Sequence, residues 1–201
     1  MKKILAVVSV ATALLLSGCS QVSAAATVGS TKITQATVQA SIDSIIAARV
    51  GVDTSQMQLE TGELLNRGQL RFHLLTALLV ATGKELKISA SKAEIDTRRA
   101  GIIEQLGGLE SLPNALVGPG IAADDLDSYL EAIIVSDKIS QAIIASGISQ
   151  EQVGAEIQKL ISAKAKELGV TVNPRYGKWD PIVADVVATD SASPAVTPAT
   201  K

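Results

Sequence analysis

The sequence predicts a mainly α-helical protein with a very small strand component. Apolar residues recur at helical spacing through most of the chain. Serine or threonine in N-cap positions precedes several of these runs, and glycine ends them. Short β-prone stretches occur near residues 27–33 and 170–172. Aromatic residues make up 2% of the chain, so its core must be aliphatic.

The N-terminus carries the pattern of a secretory signal peptide. Lys2 and Lys3 precede an uncharged apolar run over residues 4–16. As a helix this run would rise about 20 Å, which is less than the roughly 30 Å hydrocarbon core of a bilayer. The pattern therefore predicts a signal peptide over residues 1–18 rather than a membrane-spanning helix.

The end of this signal resembles the lipobox of bacterial lipoproteins. Small residues in Leu16-Ser17-Gly18-Cys19 precede the only cysteine of the chain, whose sulfur would take a diacylglycerol as a thioether. We expect lipid attachment at Cys19, with palmitate-type chains holding the protein at the extracytoplasmic face of the cell membrane. Ordinary cleavage near Ala24-Ala25-Ala26 is the alternative. Whether the membrane is an inner or an outer one stays open.

The first predicted elements follow a short tether. Residues 19–26 are small and are predicted to link the lipid to the fold. Residues 27–33 predict a strand and turn around Gly29-Ser30. Thr34 is a predicted N-cap of the first helix, and Gly51 is its predicted end.

The middle of the chain predicts two further helices and a loop. Residues 63–87 are apolar round much of a helix circumference, which is typical of a central helix packed on several sides. Ser91 and Glu94 have capping-box spacing and open a third helix that ends at Gly107-Gly108. Residues 109–120 contain two prolines and predict a short helical turn and a loop.

Two more helices and a short strand complete the predicted domain. Acidic residues at 124–127 lie at the start of a helix that runs to about Ala145, where the helix dipole favours negative charge. Ser149 begins another capping-box form, and the helix after it ends at Gly169. One domain over 27–181 is expected. Beyond it, a tail over residues 182–201, rich in Ala, Thr, Ser and Pro, is predicted to be disordered.

Two separated segments resemble the two halves of the SurA/PrsA-type chaperone domain. The first is Val28–Thr34 with the helices that follow, and residues 112–139 are similar to the next helix pair. The second is GVTVNPRYGKWD, residues 169–180, the most specific phrase in the chain. The resemblance covers roughly residues 26–181. It implies a SurA N-terminal-like helical domain with a minimal two-stranded pairing of its N- and C-terminal segments, near Val28 or Ile33.

The sequence also departs from that family. SurA- and PrsA-type proteins commonly hold a parvulin prolyl isomerase domain between the two halves. Here only Ser146-Gly147-Ile148 joins the corresponding helices, and the paired histidines of that domain are missing. The resemblance therefore implies a chaperone without prolyl isomerase activity. A prolyl isomerase with a degenerate active site is a further hypothesis.

Composition and spacing give no support to an enzyme, a cofactor or a metal site. His73 is the only histidine, and we expect its ring at the boundary of the core. With one histidine, no serine is expected to have a His–Asp pair. Loss of Lys2 and Lys3 with the signal would leave 16 basic against 20 acidic residues without a basic cluster, so no nucleic-acid partner is expected.

The function implied by the resemblance is a holdase for unfolded or partly folded exported proteins. Such a chaperone needs apolar surface that stays exposed after folding. The predicted client-binding side chains come from the second helix and from the loop after the third. The alternative for each of them is that it is an ordinary core residue. They are Phe72, Leu75, Leu79, Leu112, Leu116 and Val117.

Two other interpretations stay open. A lipoprotein scaffold that binds one folded envelope partner is the alternative to the holdase. Arg175, Tyr176 and Trp179 lie close together in a chain with few aromatics. They are expected to fasten the C-terminal strand to the helices, with Arg175 paired to a carboxylate, rather than to bind a client.

Overall fold

The computed structural model describes residues 23–189, and the predicted mainly α class is confirmed. The predicted signal peptide, Cys19, and the last twelve residues of the predicted tail lie outside the described residues. Short 3-10 turns precede α4, α5 and α6. The elements are β1 Ala24–Val28, β2 Thr31–Thr34, α1 Gln35–Val50, α2 Gly62–Glu85, α3 Lys92–Gln105, α4 Leu112–Val117, α5 Leu126–Ala145, α6 Val153–Leu168, β3 Val170–Val172, β4 Lys178–Asp180 and β5 Asp185–Val187.

The two ends of the domain meet in a three-stranded antiparallel sheet of order β2-β1-β3. β1 and β2 form a hairpin, and β3 pairs with the other edge of β1, with Ala26 opposite Val172 and Val28 opposite Val170. The hydroxyls of Thr27 and Thr171 lie 2.6 Å apart across this pairing. The closing strand therefore lies beside the opening one, in a sheet of three strands rather than the expected two.

The predicted tether extends too far into the fold. Ala24, Ala25 and Ala26 belong to β1 and are 8%, 0% and 2% exposed, and β1 contacts α2. Their small side chains allow strand and helix to approach closely on both faces of the strand. Because small residues are also typical of linkers, the sequence suggested a tether here. The tether ends before Ala24.

Two of the predicted helix starts carry the expected caps. Thr34 Oγ1 accepts a hydrogen bond from the backbone N–H of Thr37 at 3.0 Å. Ser91 and Glu94 form a reciprocal capping box at the start of α3. The predicted box at Ser149 differs, because a 3-10 turn comes first and no side-chain cap forms there.

The central position predicted for the second helix is the one α2 occupies. Its residues Leu70, Leu74 and Leu78 are completely buried. α2 contacts α1, α5, α6, β1 and β5, so most of its circumference is covered. The main core is aliphatic apart from one tyrosine: Ala25, Ala26, Val28, Ile33, Val38, Ile42, Ile45, Leu65, Leu70, Leu74, Leu78, Ala122, Ala165, Tyr176 and Val186.

A second hairpin replaces the start of the predicted disordered tail. β4 and β5 pair antiparallel, and Val186 of β5 is buried in the main core. Tyr176 is buried there too and Trp179 packs against it, so these aromatics fasten the C-terminal segment as expected. Arg175 does not take part: its side chain is exposed and makes none of the ion pairs found within residues 23–189.

Gly177 is required by the way this hairpin closes. Its φ is +129°, and a Cβ there would lie 2.2 Å from the carbonyl oxygen of Val187. We expect Gly177→Ala to lower the free energy of unfolding by about 2 kcal/mol or more, measured by urea denaturation. Gly154→Ala is the control, since within residues 23–189 no atom beyond its own chain neighbours and the backbone of its helix lies within 4 Å of the added Cβ. Equal effects of the two substitutions would contradict this account.

Candidate functional site

An apolar groove of about 610 Å³ lies between α2, α5 and α6. α2 turns its Leu70-Leu74-Leu78 stripe into the core and a neighbouring stripe toward the groove. The groove side chains are only partly buried, because the strands and α1 cover other faces of α2. The principal apolar lining is Phe72, Leu75, Leu79, Tyr129, Ala132, Ile133, Ile157 and Ile161.

Polar contacts lie at the edges of the groove. The loop of residues 118–121 lines one side, and the buried Gln69 donates a hydrogen bond from Nε2 to the carbonyl of Gly120 at 3.0 Å. Arg71 pairs with Asp185 at 2.8 Å on the side of β5. The arrangement is an aliphatic floor with a polar rim, which is typical of sites that bind apolar groups.

The structure brings only half of the predicted client-binding residues to this groove. Phe72, Leu75 and Leu79 line it. Leu116 and Val117 do not, because they are 8% and 2% exposed and belong to the interior.

Leu112 also lies away from the groove. It is half-buried against a second, smaller apolar cluster formed by Leu116, Leu126 and Leu130. The short helix α4 turns its apolar side inward, so that this region reaches the groove only through the loop that follows α4.

The opposite walls were missing from the predicted site. Tyr129 and Ile133 contribute from α5, and Ile157 and Ile161 from α6. A signal exists on α5: its apolar residues cover more of the circumference than the buried stripe of Leu126, Leu130 and Ile134. A helix with such a wide apolar face has more than one packing surface.

A second polar feature joins residues that are far apart in the sequence. Ser41 Oγ donates to Asp125 Oδ2 at 2.5 Å and lies 3.0 Å from His73 Nε2, while that nitrogen lies 3.9 Å from Asp125. In a catalytic triad the imidazole stands between the serine and the acid. Here the serine stands between them and is 4% exposed. The cluster ties α1 and α2 to the turn before α5.

The single histidine thus has both a serine and an aspartate neighbour, although no spacing in the sequence indicates either contact. Burial lowers the pKa of His73, and the nearby Asp125 carboxylate offsets this only in part. The imidazole is therefore neutral at pH 7. Because Ser41 gives its proton to Asp125, His73 donates its Nε2–H to Ser41.

This cluster makes stability depend on pH. The lowered pKa of His73 means that below pH 6.5 the unfolded chain takes up a proton that the folded chain does not. We expect the free energy of unfolding to fall as the pH drops from 7.5 through 6.5 to 5.5. His73→Gln, which keeps a donor but does not titrate, should flatten this slope. Urea titrations at each pH measure it, and an unchanged slope in the variant would contradict the assignment.

The chain was also compared with known proteins. No protein-family model, curated protein or solved structure matches it. The resemblance to SurA/PrsA-type chaperones therefore stays a prediction of the sequence.

Within residues 23–189, no group of three or more His, Cys, Asp or Glu side chains is placed to hold a metal ion. None of the helices described there is both long and apolar enough to cross a membrane.

Proposed function

We propose that the protein is a membrane-anchored lipoprotein chaperone that holds unfolded exported polypeptides in the groove between α2, α5 and α6, without prolyl isomerase activity. The observation that supports the proposal most strongly is the groove itself. Partly exposed apolar side chains of three helices line this groove and are not fully buried in the folded protein. Concave apolar surface of this kind is typical of binding sites.

The chemistry of the groove suits an unfolded client. Aliphatic contacts are not directional, so they accept many sequences with similar free energy. Two polar groups at the rim, Gln69 and Arg71, are engaged within the protein. The groove has room for several aliphatic side chains of a client but not for a folded domain.

The proposed anchor would place the groove near a membrane. Cys19 is the proposed lipid attachment site, and the first described residue of the fold is Ser23. Four residues of chain span at most about 14 Å when fully extended. The domain would therefore stay close to the extracytoplasmic surface, where exported chains emerge before they fold.

Filling the groove should weaken the chaperone without unfolding it. Thr76 and Ala132 both line the groove and are partly buried. We expect Thr76→Phe combined with Ala132→Phe to require several-fold more protein to suppress aggregation of a chemically unfolded exported protein, followed by light scattering. The added rings would occupy the space that client side chains take.

The control removes apolar surface elsewhere. Ile182 is 84% exposed at the β4–β5 turn and lies outside the groove. Ile182→Ser should suppress aggregation as the unmodified protein does. Thermal unfolding by circular dichroism checks that all variants fold. Loss of suppression in the control, or full activity in the filled variant, would contradict the groove as the client site.

The scaffold alternative has one observation in its favour. Ile46 and Val50, one turn apart on α1, are 51% and 87% exposed. A folded envelope partner could cover this pair. Cross-linking in intact membranes separates the two functions, because a chaperone should yield many unfolded chains through the groove. One dominant partner cross-linked through α1 would overturn the chaperone proposal.

A further inference from the structure

Within residues 23–189, the helix α3 is packed against its neighbours on one side only. None of its residues is buried, whereas α2 and α5 each bury several. It lies along α5, where Ile95 and Ile102 rest on the small cluster of Leu116, Leu126 and Leu130. Its apolar contact with the protein is therefore shallow.

Three ion pairs complete the attachment of α3 to α5. Glu94 pairs with Lys138 at 2.5 Å, Arg98 with Asp137, and Arg99 with Asp127. The six side chains are 31–61% exposed. Ion pairs this exposed are weak and are screened by salt, so they hold the helix only loosely.

A gap of about 710 Å³ lies between α3 and α5. On the α3 side it is lined by small residues one turn apart, Ala93, Thr97 and Gly101. On the α5 side, Tyr129 and Ile133 line both this gap and the groove described above. The two spaces are therefore neighbours that share Tyr129 and Ile133.

The connection after α3 has backbone suited to a hinge. Before α3, Lys87 has a φ of +57°, and the cap at the end of α2 holds this connection through hydrogen bonds from the N–H groups of Lys87 and Ile88 to the carbonyls of Lys84 and Gly83. After α3, Gly107 and Gly108 have φ values of +81° and +135°, and within residues 23–189 an added Cβ at either would meet no atom within 4 Å beyond its chain neighbours. The connection after the helix is thus uncrowded, and its glycines adopt backbone conformations that other residues rarely adopt.

We propose that α3 is a hinged flap that opens when its three ion pairs with α5 break, and that opening joins the gap to the groove as one apolar surface. The inference rests on the proposed function. Closed, the protein offers the groove and the gap beside it to short apolar segments of a client. Open, it accepts longer segments that pass over Tyr129 and Ile133.

The test uses a thiol that becomes more reactive when α3 moves. In the full chain with Cys19→Ser, Ile134→Cys places a thiol in the gap, where the native side chain is 6% exposed. Leu74→Cys places one in the main core at 0% exposure and reports global unfolding. In native buffer we expect a disulfide reagent to label position 134 at least tenfold faster than position 74.

The ion pairs supply the second part of the test. Glu94→Gln keeps the capping-box acceptor but removes the charge opposite Lys138, and should speed labelling at position 134 several-fold. Raising the salt concentration should do the same. Lys92→Gln is the matched control, because Lys92 pairs within α3 with Asp96. It should leave the rate unchanged.

Three outcomes would overturn the flap: equal labelling rates at positions 134 and 74, no response to salt and Glu94→Gln, or an equal response to Lys92→Gln. No client is present in this experiment. A failure here with intact suppression of aggregation removes the flap alone, whereas loss of suppression bears on the chaperone proposal.

Discussion

The fold depends on how one long apolar helix is covered. α2 is apolar round much of its circumference, and such a helix is stable in water only when neighbours remove that surface from solvent. The strands β1 and β5 and the helices α1, α5 and α6 all pack on it. One face of α2, carrying Phe72, Leu75 and Leu79, meets α5 and α6 across a space instead of a packed contact. The groove lies beside the part of this helix that residues 23–189 leave uncovered.

Features determined by a few neighbouring residues were predictable from the sequence. The caps at Thr34 and Ser91 depend on side chains within one helical turn, and both were predicted. The buried alanines of β1 were missed, because small residues are equally typical of linkers and of strands packed closely on a helix. The β4–β5 hairpin was missed because three-residue strands show no clear periodicity.

The site was less predictable because it depends on packing between distant segments. Ser41 and His73 are 32 residues apart, and Ser41 and Asp125 are 84 residues apart, so no local spacing announces their contact. The apolar circumference of α2 did indicate one wall of the groove. The inward side of α4 could not be inferred in the same way, since a helix of six residues gives too few turns to define a face. Leu116 and Val117 were therefore assigned to the wrong surface.

The pairing of β1 with β3 delays completion of the fold until both ends of the domain are present. The facing threonines of these strands, Thr27 and Thr171, are 144 positions apart in the sequence. The first strand of the domain therefore pairs with one of the last. Until residues 170–172 appear, β1 has an open edge and the core lacks Tyr176 and Val186. Contacts between such distant residues form slowly, because the intervening loop must close first. A protein proposed to hold unfolded chains thus has an incomplete sheet and core of its own until residues 170–187 can pack.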